Sequence, residues 1–173
     1  MSKKQSPLMK LKAGGVFDEV YTPAYAIEPL IEFIPKDKVI WECTDFGASQ
    51  ITSRLRELGY TVVASHKDDF DFLEDTPDFE YDIIITNPPY SLKDKFLKRA
   101  YELNKQFAFL LPITSLEGMA RGKLFRENNI EVLVLDGRVN FTKGKAGAWF
   151  NTSWFCNGLL PKQLVFKELG KDE

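Results

Sequence analysis

One histidine and two cysteines among 173 residues leave little material for metal or thiol chemistry. Cys43 and Cys156 lie far apart, without metal-ligand spacing, and read as buried free thiols. No cysteine or serine stands with an evident base partner, so the pattern gives no case for a covalent intermediate. Charge of one sign is also lacking. Twenty-three basic against 25 acidic residues give a net charge of −2, which makes no whole-molecule case for nucleic-acid binding and leaves local patches open. No apolar run is long enough to span a bilayer, and the opening Met-Ser-Lys-Lys-Gln-Ser lacks the apolar core of a signal peptide. A cytoplasmic protein is the expectation. Repeats and low-complexity segments are absent as well.

What is present is ordinary globular composition, 44% hydrophobic and 28% charged, at a length that supports one domain with a real core. Residues 1–16 read as a loose arm on a single domain over 1–173. Thr22-Pro23 places a capping residue before a proline, predicting a short helix from Tyr25 to Phe33. From Val39 the pattern alternates between element types. Val39–Cys43 and Tyr60–Ala64 predict strands, with a helix from Ser49 to Leu58 between them. Asp82–Thr86 predicts a strand buried on both faces, and Ser91 caps a helix that turns Phe96, Leu97, Ala100 and Leu103 inward. Phe107–Leu111 and Ile130–Leu135 are further strands, with a helix within Thr114–Glu127 and a glycine- and lysine-containing loop over Gly137–Phe150. Thr152–Leu160 and Leu164–Leu169 predict a terminal antiparallel hairpin around Pro161. The class is α/β, a mostly parallel sheet with helices on both faces.

Asn87-Pro88-Pro89-Tyr90 follows the buried strand at once. Two prolines stiffen the chain and lack N–H donors, and the carboxyl end of a buried strand is where open α/β sheets place ligands. The Asn amide oxygen, a free proline carbonyl and a flat aromatic ring together suit a planar group bearing an NH2.

The tetrapeptide and its setting resemble the Rossmann-like S-adenosylmethionine-dependent amino-methyltransferases of the N6-adenine and N4-cytosine type. That family marks its active site with Asp/Asn/Ser-Pro-Pro-aromatic after the fourth strand. The resemblance covers about residues 17 to 160, and Trp41-Glu42-Cys43 and Leu111 to Gly118 resemble small phage-associated proteins described as DNA methyltransferases. In this resemblance Asn87, Pro88, Pro89 and Tyr90 are catalytic. The Asn87 oxygen and Pro88 carbonyl accept the amine's protons, and Tyr90 stacks on an extruded base.

The resemblance implies S-adenosylmethionine as cofactor, held by Thr22 and Pro23 before the first strand, by Glu42, Thr44, Phe46 and Gly47 at the first strand's turn, and by Asn87 of the tetrapeptide. Free backbone N–H groups of that turn would meet the cofactor's carboxylate. In the family the turn is glycine-rich, whereas here one glycine remains, displaced by one position. Ser65, His66 or Asp68 stands where the ribose hydroxyls are held, and Asp69, Phe70 and Asp71 resemble the element for the cofactor adenine, with Phe70 or Phe72 packing on the adenine or into the core. Phe141, Lys143, Lys145 and Trp149 interleave basic and aromatic residues as a nucleic-acid contact would. The acceptor implied is N6 of adenine in DNA, with RNA adenine and a protein glutamine amide as alternatives of equal chemistry. A non-catalytic binding module with a degenerate cofactor turn is the alternative from another class. The length leaves no room for a separate target-recognition domain, so specificity is expected to be loose or supplied by a partner subunit.

Overall fold

The computed structural model describes residues 21–141 and 151–170. The expected arm over 1–16, and Lys143, Lys145 and Trp149, lie outside the described residues. Seven strands form one sheet: β1 (Val39–Glu42), β2 (Thr61–Ala64), β3 (Ile83–Thr86), β4 (Gln106–Pro112), β5 (Glu131–Leu135), β6 (Thr152–Asn157) and β7 (Leu164–Lys167). Their order across the sheet is β2-β1-β3-β4-β6-β5-β7. All neighbours run parallel except β6, which is antiparallel to both β4 and β5.

Alternation along each strand sends successive side chains to opposite faces, and both faces are covered. Ile40, Ile83, Ile85, Leu110 and Trp154 join a core on one face with Leu30 of α1 (Glu28–Ile31) and Ile51 and Leu55 of α2 (Gln50–Glu57). Trp41, Ile84, Phe107, Phe109 and Phe155 join the other, with Phe96, Leu97 and Ala100 of α3 (Lys93–Glu102). Leu124 and Phe125 of α4 (Met119–Asn128) pack on that second core as half-buried side chains. This two-sided burial explains why β3 reads as an unbroken β-branched run: Ile83, Ile84, Ile85 and Thr86 are all fully buried.

The α/β class and the parallel sheet are as expected, and several local details differ. The predicted Tyr25–Phe33 helix is a 3-10 turn at Ala24–Ala26 followed by one α-helical turn at α1, because Pro29 near its start cannot donate to a continuing helix. Thr22 does not cap it; Pro23 takes the capping position without a side-chain bond. Cys43 lies one residue past β1. Ser91 does not cap α3 either: a 3-10 turn over Tyr90–Leu92 moves the helix start to Lys93, after Leu92. The two C-terminal strands run in opposite directions as the hairpin required, but β5 stands between them. β6 inserts between β4 and β5, and β7 pairs in parallel with the far side of β5. The Pro161 region is therefore a crossover past one strand.

That crossover has a buried anchor. Glu131 is 8% exposed. Its carboxylate accepts hydrogen bonds from the backbone N–H groups of Gly158 (3.0 Å), Leu159 (3.0 Å) and Leu160 (2.8 Å), closing the turn that leaves β6. Replacing it by alanine strands the buried Leu160 donor, at about 1–3 kcal/mol, and removes the bonds to the more accessible Gly158 and Leu159 at a smaller cost each. Glu131→Ala is expected to lower the unfolding free energy by about 3 kcal/mol in urea titration, with Glu131→Gln losing less. An alanine variant within about 0.5 kcal/mol of wild type would show that the turn holds without its anchor.

Candidate active site

The chain runs from β1 outward to β2, then returns across β1 to β3 on its other side. Such a reversal opens a crevice at the carboxyl ends of the two diverging strands. Glu42 ends β1 and Thr86 ends β3, and the cleft there is lined from both.

Glu42 is 1% exposed. Its Oε1 accepts from the Thr44 backbone N–H (3.0 Å), the Thr44 hydroxyl (3.0 Å) and the Thr86 hydroxyl (2.5 Å), and the two hydroxyl oxygens are 2.6 Å apart. Burial raises the Glu42 pKa above its ordinary value, and the bonds from Thr86, Thr44 and Ser49 only partly offset that rise. The neighbouring Cys43 is buried too, and desolvation, then the Glu42 charge, push its thiol well above the ordinary range. Cys43 is thus an apolar wall, as its isolation in sequence led us to expect.

The turn after β1 is organised differently from a glycine-rich one. Gly47 takes φ +96°, a conformation suited to glycine. Asp45 Oδ1 accepts from the N–H of Gly47 (2.7 Å) and of Ser49 (3.1 Å), and the Ser49 hydroxyl accepts from the Thr52 N–H at 3.4 Å, capping α2. Burial opposes the Asp45 charge, yet bonds from the Thr52 side chain and the backbone of Ser49, Gly47 and Ala48 leave its pKa below the ordinary value. A carboxylate of the chain itself therefore occupies N–H groups that were expected to be open to a ligand's carboxylate. Asp45 was not among the residues the sequence singled out, since an aspartate in a turn has many fates.

At the carboxyl end of β3, the Asn87 Nδ2 donates to the Thr22 hydroxyl oxygen at 2.8 Å. The other end of the amide, Oδ1, is buried and has no hydrogen-bond partner among the described residues. Buried acceptors are nearly always satisfied, so an orphan here stands out. Asn87, Thr22 and Pro89 line the same cleft as Glu42 and Thr44.

Among the other residues singled out from sequence, Phe46, His66 and Asp71 also border this cleft, joined by Phe72 and by Lys67, which the sequence reading passed over. Phe46 is 56% exposed and meets His66 edge-on, with ring centroids 6.4 Å apart. The imidazole Nδ1 of His66 lies 3.1 Å from Asp68 Oδ2. Asp71 Oδ1 accepts from the Leu73 N–H at 2.9 Å, which fixes the segment carrying Phe72. Phe72 stacks on Phe96 at 4.8 Å between centroids, so its ring belongs to the core while bordering the cleft.

Several residues are placed elsewhere. The Ser65 hydroxyl accepts from the Trp41 indole at 2.8 Å, and Phe70 packs edge-on against the same indole at 5.7 Å. Ser65, Asp69 and Gly47 border a second depression on the β2 side, which shares Phe46, Ser49 and His66 with the cleft. Pro23 is buried and is not among the residues that line the cleft. Tyr90 is 6% exposed within the aromatic core, so a base reaches its ring only if the segment shifts. Phe141 packs half-buried on the opposite core. Of the basic residues after the tetrapeptide, Lys93 donates to the Tyr90 carbonyl at 3.1 Å and Arg99 to the carbonyls of Phe72 (3.2 Å) and Asp75 (2.8 Å). Arg121 pairs with Asp94 at 2.6 Å. These cations hold the chain around the cleft.

No family model matches the chain, and no curated protein matches it by sequence. Among solved structures, a modification subunit from Vibrio vulnificus, provisionally assigned to a type I restriction enzyme, superposes with a TM-score of 0.56 at 12% identity, covering 96% of this chain and 50% of that one. A protein of Listeria monocytogenes, provisionally assigned as a class I S-adenosylmethionine-dependent methyltransferase, gives 0.55 at 16% identity over 94% of this chain and 69% of that one. The fold is the Rossmann-like fold of methyltransferases. The chain spans half the length of the Vibrio subunit.

The raised Glu42 pKa has a measurable sign. A carboxyl whose folded pKa exceeds its unfolded one contributes stability below the unfolded value, and that contribution is lost as pH rises through the folded value. Wild type is therefore expected to lose stability relative to Glu42→Gln as pH rises from about 4.3 towards neutrality. Urea unfolding of both proteins across that range checks this, and a difference independent of pH contradicts it.

Proposed function

We propose that this chain transfers a methyl group from S-adenosylmethionine to an exocyclic amine, with N6 of adenine in DNA as the acceptor. The observation that carries the reading is Asn87 Oδ1, buried and without a hydrogen-bond partner among the described residues, on a side chain that lines the cleft beside two prolines. An aromatic amine delocalises its lone pair into the ring and is a weak nucleophile. Accepting one N–H at Asn87 Oδ1 and the other at the Pro88 carbonyl favours a tetrahedral nitrogen and aims the lone pair across the cleft. Positioning and charge stabilisation then supply the catalysis, and a base of ordinary strength suffices to remove the proton afterwards.

The residues present fit the cofactor in most of its parts. Glu42 offers a buried carboxylate to the methionine ammonium, and Asp71 with Phe72 offers an acceptor and an aromatic wall to the adenosine. The turn at Asp45 does not receive the methionine carboxylate, because Gly47 and Ser49 already donate to Asp45. We assign that carboxylate to Lys67, the lysine on the cleft wall. When bound, the cofactor supplies an electrophilic methyl on a sulfonium, which needs no activation by the protein.

The DNA acceptor rests on the tetrapeptide resemblance and on the Vibrio neighbour, which is described as a modification subunit. Transfer of labelled methyl to duplex DNA, RNA and protein pools tests the acceptor, and the expected product is N6-methyladenine in DNA. Asn87→Ala should abolish transfer, by about a hundredfold or more, while cofactor affinity and thermal unfolding stay near wild type. A variant with near-normal turnover would remove Asn87 from the reaction.

A further inference from the structure

The sheet ends in β2 on one side and β7 on the other, and the two edges are treated differently. In a parallel ladder the N–H and C=O of one residue point to one side, and those of the next residue to the other. On β2 the Ser65 N–H donates to Glu42 and its carbonyl accepts from Asp45, so Ser65 faces β1 and Val62 points outward. That outward carbonyl is taken by the Arg56 guanidinium of α2 at 3.0 Å. A charged side chain laid on an edge hinders further strand pairing.

β7 has no such cover among the described residues. The Val132 N–H donates to the Gln163 carbonyl and the Asp136 N–H to that of Lys167, so Gln163, Val165 and Lys167 face β5. Leu164 and Phe166 therefore turn their N–H and C=O groups outward. Their side chains are bare as well. Register places them beside Val132 and Val134 on the aromatic face of the sheet, 47% and 70% exposed. Val165 between them is buried in the opposite core. Two exposed residues of opposite charge flank the strand, Lys162 and Glu168, and neither has an ion-pair partner among the described residues.

We propose that β7 is a dimerisation edge, which pairs antiparallel with β7 of a second copy about a two-fold axis at Val165. Residues directly opposite each other across that axis must both point outward, which restricts the pairing to even-numbered partners. Three registers then bring the short strands together. Centring on Leu164 sets Phe166 against Lys162, and centring on Phe166 sets Leu164 against Glu168. Centring on Val165 sets Leu164 against Phe166 and Lys162 against Glu168, each twice. Of the three, this register alone matches apolar with apolar and positive with negative. The axis stands perpendicular to the sheet, so both copies keep their aromatic faces on one side. The two Leu164–Phe166 pairs then form a single apolar patch, and the self-complementary contact closes at two chains. A strand this short makes a small interface, and the dimer is accordingly weak, in the micromolar range. Three strands separate β7 from β3, so the claim stands apart from the methyl-transfer reading.

Sedimentation of the intact chain from about 1 to 300 µM tests it, with a reversible monomer–dimer equilibrium as the expected result. Phe166→Ser is expected to abolish the dimer. Lys162→Glu and Glu168→Lys are each expected to weaken it by about fivefold, and the double variant to return to within about twofold of wild type. Within one chain those positions lie about 20 Å apart along the strand, so a rescue reports pairing between copies. Hydrogen exchange gives a reading at single residues. At dimer concentrations the Leu164 and Phe166 amides are expected to slow by about tenfold, while the Val165 amide, bonded to β5 in either state, is unchanged. A monomer throughout the range, or assembly beyond two chains, overturns the proposal. So does a dimer that persists in Phe166→Ser, or a double variant no tighter than the single ones. Thermal unfolding identifies any variant that has lost its fold, and should Phe166→Ser be one, the exposed charge exchanges decide the matter by themselves.

Discussion

The hydrogen bond from Thr86 to the buried Glu42 carboxylate joins the two strand ends on which the rest of the site depends. β1 and β3 are neighbours whose following segments diverge to opposite sides of the sheet. Without a tie at their carboxyl ends, the crevice between them would be free to widen. Thr44 completes the tie by donating both its N–H and its hydroxyl to the same carboxylate. A carboxylate this deeply buried is costly to ionise, and its bonds to Thr86 and Thr44 recover part of that cost. The cleft floor thus carries a buried carboxyl group tied to both strand ends. One residue past Thr86, Asn87 enters, with its Nδ2 donating to the Thr22 hydroxyl oxygen.

Much of this was legible in the sequence. β3 could be read because a strand covered on both faces must be apolar throughout, and Ile83-Ile84-Ile85 has no other plausible fate beside Pro88-Pro89. The helix α2 could be read because Ser49 caps it and Ile51 and Leu55 fall on one stripe. The candidate site was legible in its outline: Glu42, Thr44, His66, Asp71 and Asn87 come from three separate strand ends and meet on one cleft.

What was not legible depends on contacts that no local pattern encodes. The position of β6 between β4 and β5 is a choice of partner, and nothing in Thr152–Asn157 distinguishes pairing with β7 from pairing across β4. Thr22 before Pro23 has the form of a helix cap, and its actual partner is distant in sequence. Asp45 replaces missing glycines by supplying its own carboxylate to the turn, a solution that a glycine count cannot anticipate. Tyr90 looked like an exposed stacking platform because it ends the motif, but the short 3-10 turn after Pro89 folds its ring into the aromatic core. The β6 pairing and the Thr22 contact are set by partners far along the chain, whereas the Asp45 turn is local, its donors being Gly47 and Ser49.

If the cleft between β1 and β3 is the proposed cofactor site, Glu42 meets an ammonium there, although the turn beside it is already filled by Asp45. Calorimetric titration of S-adenosylmethionine into the chain tests that claim most directly. One molecule bound per chain, with the heat lost in Glu42→Ala and retained in a variant of the far-side Glu131 anchor that still folds, is the predicted result. No binding by the folded wild-type protein would contradict the account at its centre.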